Sequence, residues 1–215
     1  STGLIVLVAG ITMLILGRLA HEFFLMRFSL IFVLVGVIDY LLGRGYTKTL
    51  FFPITYLFFM IPLPSILLQK VTFPLQLFVT ELSAQSLKAI GIPLLKEGNI
   101  IYLSSTVLEV ADACSGIRSL IALLAIGVIV AFYVHKNSVA RSVLVFFCIP
   151  IAILANAIRV IMSGVLANLY GSQVVEGFLH SFAGMVTFLI AMVFLVVVSF
   201  MLKLVEKRFS VGKGS

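Results

Sequence analysis

Six apolar runs, each about as long as a bilayer core is thick, constrain this chain more than any other feature. A helix needs roughly 17–25 apolar residues to cross the hydrocarbon. Candidate spans of that kind lie at Gly3–Leu19, Phe24–Leu42, Tyr46–Leu63, Gly116–Val134, Ser142–Ile161 and His180–Leu202. Backbone amides in lipid must be bonded internally, which leaves helices or closed barrels. Unbroken runs, rather than alternating segments of about ten residues, weigh against a barrel. Of the 215 residues 62% are apolar and 11% charged, more apolar surface than a soluble domain of this length can hide. The same figures rule out disorder and a disulfide scaffold. The expectation is an all-α polytopic membrane protein, a helical bundle of about six spans. It forms one membrane domain over 1–215, with a small extracytoplasmic insertion at 64–115.

The first run lacks a basic segment before it and a small-residue cleavage site after it, so it reads as a span rather than a signal peptide. The chain opens on Ser1 rather than Met, and residues upstream of it are expected. No internal repeat is visible, which weighs against a transporter built from paired halves. Most of the positive charge falls on loops and on the tail, while Arg18 and Arg27, with Glu22 between them, run against that pattern at the first turn. Arg44 and Lys48, Lys136 and Arg141, and Lys203, Lys207, Arg208 and Lys213 all come to one side by alternating crossings. Positive charge marks the cytoplasmic side. The charge is thus a matter of topology, and no nucleic-acid partner is expected. Lipid is expected around the spans.

The insertion changes character along its length. Ser65–Ile90 mixes apolar residues with Gln69, Lys70, Gln76, Glu81, Gln85 and Lys88 at near-helical spacing, the pattern of an amphipathic interfacial helix. Glu97-Gly98-Asn99 gives a turn signal, and Ile100–Leu103 and Thr106–Val110 predict a β-hairpin ending just before Asp112.

Polar groups at membrane depth are expensive and therefore candidates for function. The densest set surrounds Cys114, with Asp112, Ser115 and Arg118 beside it, where the hairpin joins the fourth span. A helix N-terminus favours a thiolate through its free N–H groups and dipole. Cys148, among Phe146, Phe147 and Ile149, reads instead as a buried packing residue. Asn156 and Arg159 share one helix face near the outer end of the fifth span. Snorkelling to headgroups is the plain alternative for Arg159, but an amide on the same face argues for function. His180 opens the sixth span with Glu176 four residues earlier, placed to orient or charge-stabilise the ring. His21 and His135 lie on connecting segments without such company and read as structural.

By topology Cys114, Arg159 and His180 all fall at the same, extracytoplasmic depth. A nucleophile, a cation and an acid–base group together make a working catalytic set. The sequence holds no metal-ligand pattern and no phosphate-cradling glycine loop, so no metal or other cofactor is expected. A small-solute transporter or lipid-binding scaffold would use the same cluster as a binding site. Transport has thin support, since only Asp39 lies in the inner half of a span.

Three stretches also carry a family resemblance. Ala113-Cys114-Ser115-Gly116-Ile117-Arg118-Ser119, then Asn156-Ala157-Ile158-Arg159, then His180 with Gly184, resemble the exosortase/archaeosortase family. Phe52-Pro53 and Met60-Ile61-Pro62-Leu63-Pro64 are similar to its pattern as well, and the likeness runs from about Leu50 to Phe200. The resemblance implies a membrane-embedded cysteine transpeptidase acting on membrane-anchored proteins with C-terminal sorting signals. Such a signal joins a short motif, Pro-Glu-Pro in the commonest case, to a membrane helix and a basic tail. Cys114 matches the nucleophile, Arg159 the essential arginine and His180 the third active-site residue, and a histidine there favours the bacterial exosortase branch. Arg118, Asn156, Ser115, Glu176 and Asp112 are the expected supporting or substrate-binding residues. A cysteine protease that hydrolyses its thioester is the rival enzyme. The site is expected to face outward from the bacterial inner membrane.

Overall fold

The computed structural model describes residues 2–62, 64–104, 106–110, 117–171 and 178–211, with backbone alone at 65, 117, 178–181 and 209–211. Its helices are α1 (Thr2–Leu19), α2 (Phe23–Leu41), α3 (Arg44–Thr49), α4 (Phe51–Tyr56), α5 (Ser65–Ala89), α6 (Ile117–Val134), α7 (Ser138–Tyr170) and α8 (Phe178–Val211). Three strands, β1 (Leu94–Glu97), β2 (Ile100–Leu103) and β3 (Val107–Glu109), lie between α5 and α6. Among the described residues, four helical stretches are long and apolar enough to cross a membrane: Thr2–Leu19, Phe23–Leu41, Ser138–Tyr170 and Phe182–Arg208. Shorter apolar stretches at Phe51–Met60 and Arg118–Val134 stand where the third and fourth spans are expected. The chain is an all-α polytopic membrane protein with a small sheet. It divides into two compact units, Ser1–Leu68 and Gln69–Ser215.

In the first unit, α1 and α2 pack as a hairpin. Gly3, Gly10 and Gly17 recur every seven residues on the buried stripe of α1. A Cβ on Gly3 would lie 2.5 Å from the Tyr40 backbone nitrogen, and one on Gly36 would lie 2.5 Å from the Leu7 backbone. Lipid gives helices no hydrophobic reason to associate, so close backbone approach through small residues holds them together. The turn closes at His21, whose φ of 55° is left-handed. Glu22 N–H donates to Gly17 O at 2.9 Å and His21 N–H to Arg18 O at 3.3 Å, a helix-ending pattern that satisfies the last carbonyls. His21 is a turn residue, as the sequence indicates. At the other end of the hairpin, Thr2 Oγ1 donates to Asp39 at 3.1 Å and accepts from Arg44 at 2.9 Å.

The third expected span is not one helix. It resolves into α3, α4 and a 3-10 turn at Leu57–Met60. Pro53 lacks the N–H that would reach Thr49, and its ring clashes with that carbonyl. The helix accordingly breaks between Thr49 and Phe51. Phe28 of α2 meets Phe58 at 5.5 Å between ring centroids, which ties the 3-10 turn to α2.

In the second unit, α7 supplies buried side chains to both cores. Leu123, Ala131, Leu144, Cys148, Ala152, Ala191 and Leu195 join α6, α7 and α8. A second core sets Val79 and Leu87 of α5 and Ile101, Leu103 and Val110 of the sheet region against Ala157, Val160 and Ala167 of α7. The expected hairpin is present and gains a strand: the order is β1-β2-β3, both pairs antiparallel, with Leu94 opposite Leu103 and Ile101 opposite Leu108. Gly98, with φ 59°, makes the β1–β2 turn. Lys96 of β1 forms an ion pair with Glu81 of α5, which also accepts from Gln85 at 2.8 Å. These two bonds hold the Glu81 carboxyl below its ordinary value.

Candidate active site

α7 begins at Asn137, whose side chain caps it by accepting from Val139 N–H at 3.0 Å. Its buried positions then step by fours through Ala140, Leu144, Cys148 and Ala152 to Asn156. Small residues occupy most of that stripe, so neighbouring helices come close, and the stripe ends on a buried amide 6% exposed. Arg159 follows three residues later on the same face. Its guanidinium lies against α8: a Cβ on Gly184 would sit 3.3 Å from Arg159 Cζ. Ile158, 41% exposed, takes the outward position instead. The guanidinium is thus seated against α8.

A cavity of about 10 Å³ opens beside the guanidinium, room for about one water molecule. Its polar lining comes from three helices: Ser119 of α6, Asn156 and Arg159 of α7, and Thr187 of α8. Thr187 Oγ1 donates back to Ala183 O at 2.8 Å and Gly184 O at 3.1 Å, which leaves its lone pairs as acceptors. Ser119, Thr187 and the Gly184 contact escape sequence reasoning, because their meeting depends on how three helices pack.

His180 lies in the first turn of α8, four residues before Gly184, so the Arg159 contact falls about one helical turn further along that helix. Arg118 is in the first turn of α6 with an exposed side chain, one residue before the cavity-lining Ser119. Asp112, Cys114, Ser115 and Glu176 lie outside the described residues. The chain entering the Cys114 segment is anchored: Val110, 1% exposed, donates to Asn99 O at 2.9 Å. Cys148 has the packing role the sequence assigns to it. It is fully buried, its thiol donates to Leu144 O at 3.4 Å, and it fills the space left by Gly127.

Two further polar clusters lie outside the cavity. His135 has partners after all. Buried to 1% exposure, it places Nδ1 2.9 Å from Glu206 Oε2 and Nε2 3.0 Å from Ser199 Oγ. Glu206 Oε1 also accepts from Asn137 N–H at 3.1 Å, and Arg141 Nε donates to His135 O at 2.8 Å. The cluster ties the α6–α7 turn to α8. On α5, the buried polar face is Thr72, Gln76, Thr80 and Ser83, with Ser83 Oγ 3.5 Å from Ala157 O of α7. Of the polar residues the sequence picks out on this helix, only Gln76 belongs to that face, while Gln69, Lys70, Glu81, Gln85 and Lys88 are exposed.

Fold and site together define a polytopic membrane protein with a polar site among three packed helices. The family model for transmembrane exosortases matches residues 1–197, and the chain belongs to that family. No curated protein and no solved structure gave a match.

Proposed function

We propose that this exosortase is a membrane-embedded cysteine transpeptidase that cleaves C-terminal sorting signals of the Pro-Glu-Pro type at the outer face of the bacterial inner membrane. The single observation that carries the reading is the seating of the Arg159 guanidinium on α8 at Gly184, one turn from His180. Family membership over residues 1–197 supports it, since the motif residues fall within that match. The basic loops and tail support the orientation.

In this mechanism Cys114 Sγ, ionised beside His180, attacks the scissile carbonyl carbon and forms the S–C bond. The carbonyl electrons move onto oxygen, and Arg159, with a permanent charge in a water-poor site, stabilises the oxyanion. Collapse breaks the C–N bond, and His180 delivers its proton to the departing amine. A thioester remains. His180 then removes a proton from the incoming nucleophile, whose attack breaks the S–C bond and releases the product. Asn156 orients Arg159 from the same face of α7, and Arg118 reads the acidic residue of the signal. Asp112, Ser115 and Glu176 support the cysteine and histidine ends of the site.

Mass spectrometry of a co-expressed substrate tests the reading. A new C-terminus at the sorting signal carrying an added acceptor mass is the expected product. A free carboxylate identifies the hydrolytic cysteine protease instead, and an uncut substrate leaves a transporter or lipid-binding scaffold.

A further inference from the structure

We propose that Gly184 is a positioning residue for Arg159: the bare backbone it provides on α8 is the seat that holds the guanidinium for reaction. The inference rests on the functional reading above and extends it to a residue outside the reacting set. A Cβ built on Gly184 would lie 3.3 Å from Cζ and 3.5 Å from both Nη1 and Nη2. Near-equal distances of that order place the point directly over the centre of the planar group. The guanidinium therefore lies face-on to the glycine rather than meeting it with an edge.

Thr187, 5% exposed, bonds the carbonyls of both Ala183 and Gly184, and such back-bonding bends a helix locally. Glycine within a helix lowers its stability relative to alanine. A residue kept for helix formation alone would not be glycine. Any side chain here would lift the guanidinium by a few tenths of an ångström, since 3.3 Å is tighter than ordinary van der Waals contact. The seat lies on the same helix as His180, four residues on, so α8 sets the spacing between the oxyanion donor and the acid–base group.

A double-mutant cycle on the full chain in lipid tests this, with a membrane-anchored reporter ending in a Pro-Glu-Pro sorting signal as substrate. Gly184→Ala is expected to lower kcat by about 10-fold or more, leave KM nearly unchanged, and keep Tm at or above that of the parent. In an Arg159→Lys background the same substitution is expected to cost no more than about 2-fold, because the planar head it displaces is gone. An equal loss in both backgrounds, or no loss in the parent, overturns the positioning role. If Gly184→Ala lowers Tm, an Arg159→Ala background decides the cause. A Tm that rises there on adding Gly184→Ala assigns the loss to the guanidinium contact. A Tm that falls equally in both backgrounds assigns it to helix packing and overturns the proposal. Cleavage that persists in Cys114→Ser contradicts the functional reading itself. Cleavage that needs Cys114 yet ignores Gly184→Ala contradicts only this inference.

Discussion

His135 Nδ1 lies 2.9 Å from Glu206 Oε2, and this contact joins residues 71 positions apart at the end of the α6–α7–α8 bundle. The ring is buried and both its nitrogens are engaged, the second by Ser199 at 3.0 Å. A buried polar group that loses its partner is left with an uncompensated desolvation cost. His135→Ala is expected to destabilise the protein by about 1–3 kcal/mol, and Ser199→Ala by less, in thermal unfolding of the purified protein. An unchanged Tm in His135→Ala would show that the clamp contributes nothing.

Gly127 and Cys148 form a size-matched pair in the same bundle. A methyl group on Gly127 would come within 2.3 Å of the Cys148 sulfur. Gly127→Ala is therefore expected to cost about 1–3 kcal/mol through overpacking. Adding Cys148→Ala removes the sulfur and is expected to recover much of that loss, giving a strongly non-additive cycle. Additive losses would locate the strain elsewhere.

Glu81 gives a pH signature outside the spans. Lys96 and Gln85 lower its carboxyl pKa in the folded protein from the ordinary 4.5, so the folded state favours the ionised form. That contribution is fully present above the unfolded value and is lost as pH falls through the lowered folded one. Both side chains of the pair are partly exposed, which keeps the effect small and sensitive to salt. Comparing Tm against pH for the parent and Glu81→Gln is expected to show a slightly shallower acid-side decline in the variant. Identical profiles would remove the pair from the account.

Much of this architecture is legible in the sequence because lipid leaves little choice. The apolar runs of α1, α2, α7 and α8 mark themselves. The Tyr46–Leu63 run misleads because composition registers its apolar residues, whereas Pro53 acts on backbone bonding. β1 is hidden because its pattern is inverted: Leu95 is 59% exposed, while Lys96 turns toward Glu81 on α5. In the site, Asn156 and Arg159 are readable from their three-residue spacing. Gly184 is readable as a motif residue but not as the surface on which Arg159 rests. His135 looks isolated because its partners lie 64 and 71 residues away in the chain.

Arg159 separates oxyanion stabilisation from simple charge. Lysine keeps the positive head but lacks the planar fork of donors. Arg159→Lys is expected to insert and fold normally and to cleave about 10²–10³ more slowly, equivalent to about 2.7–4 kcal/mol. Near-normal turnover in single-turnover assays would take Arg159 out of the catalytic set.

In the proposed mechanism Cys114 becomes covalently bonded to the substrate. Intact-mass measurement of the protein, quenched in acid during turnover of a sorting-signal reporter, reads this directly. The expected result is an adduct equal to the substrate portion N-terminal to the cut, mapped to Cys114, released by hydroxylamine and absent in Cys114→Ser. Cleavage by a Cys114→Ser protein, or turnover with an adduct mapped to another residue, would contradict it.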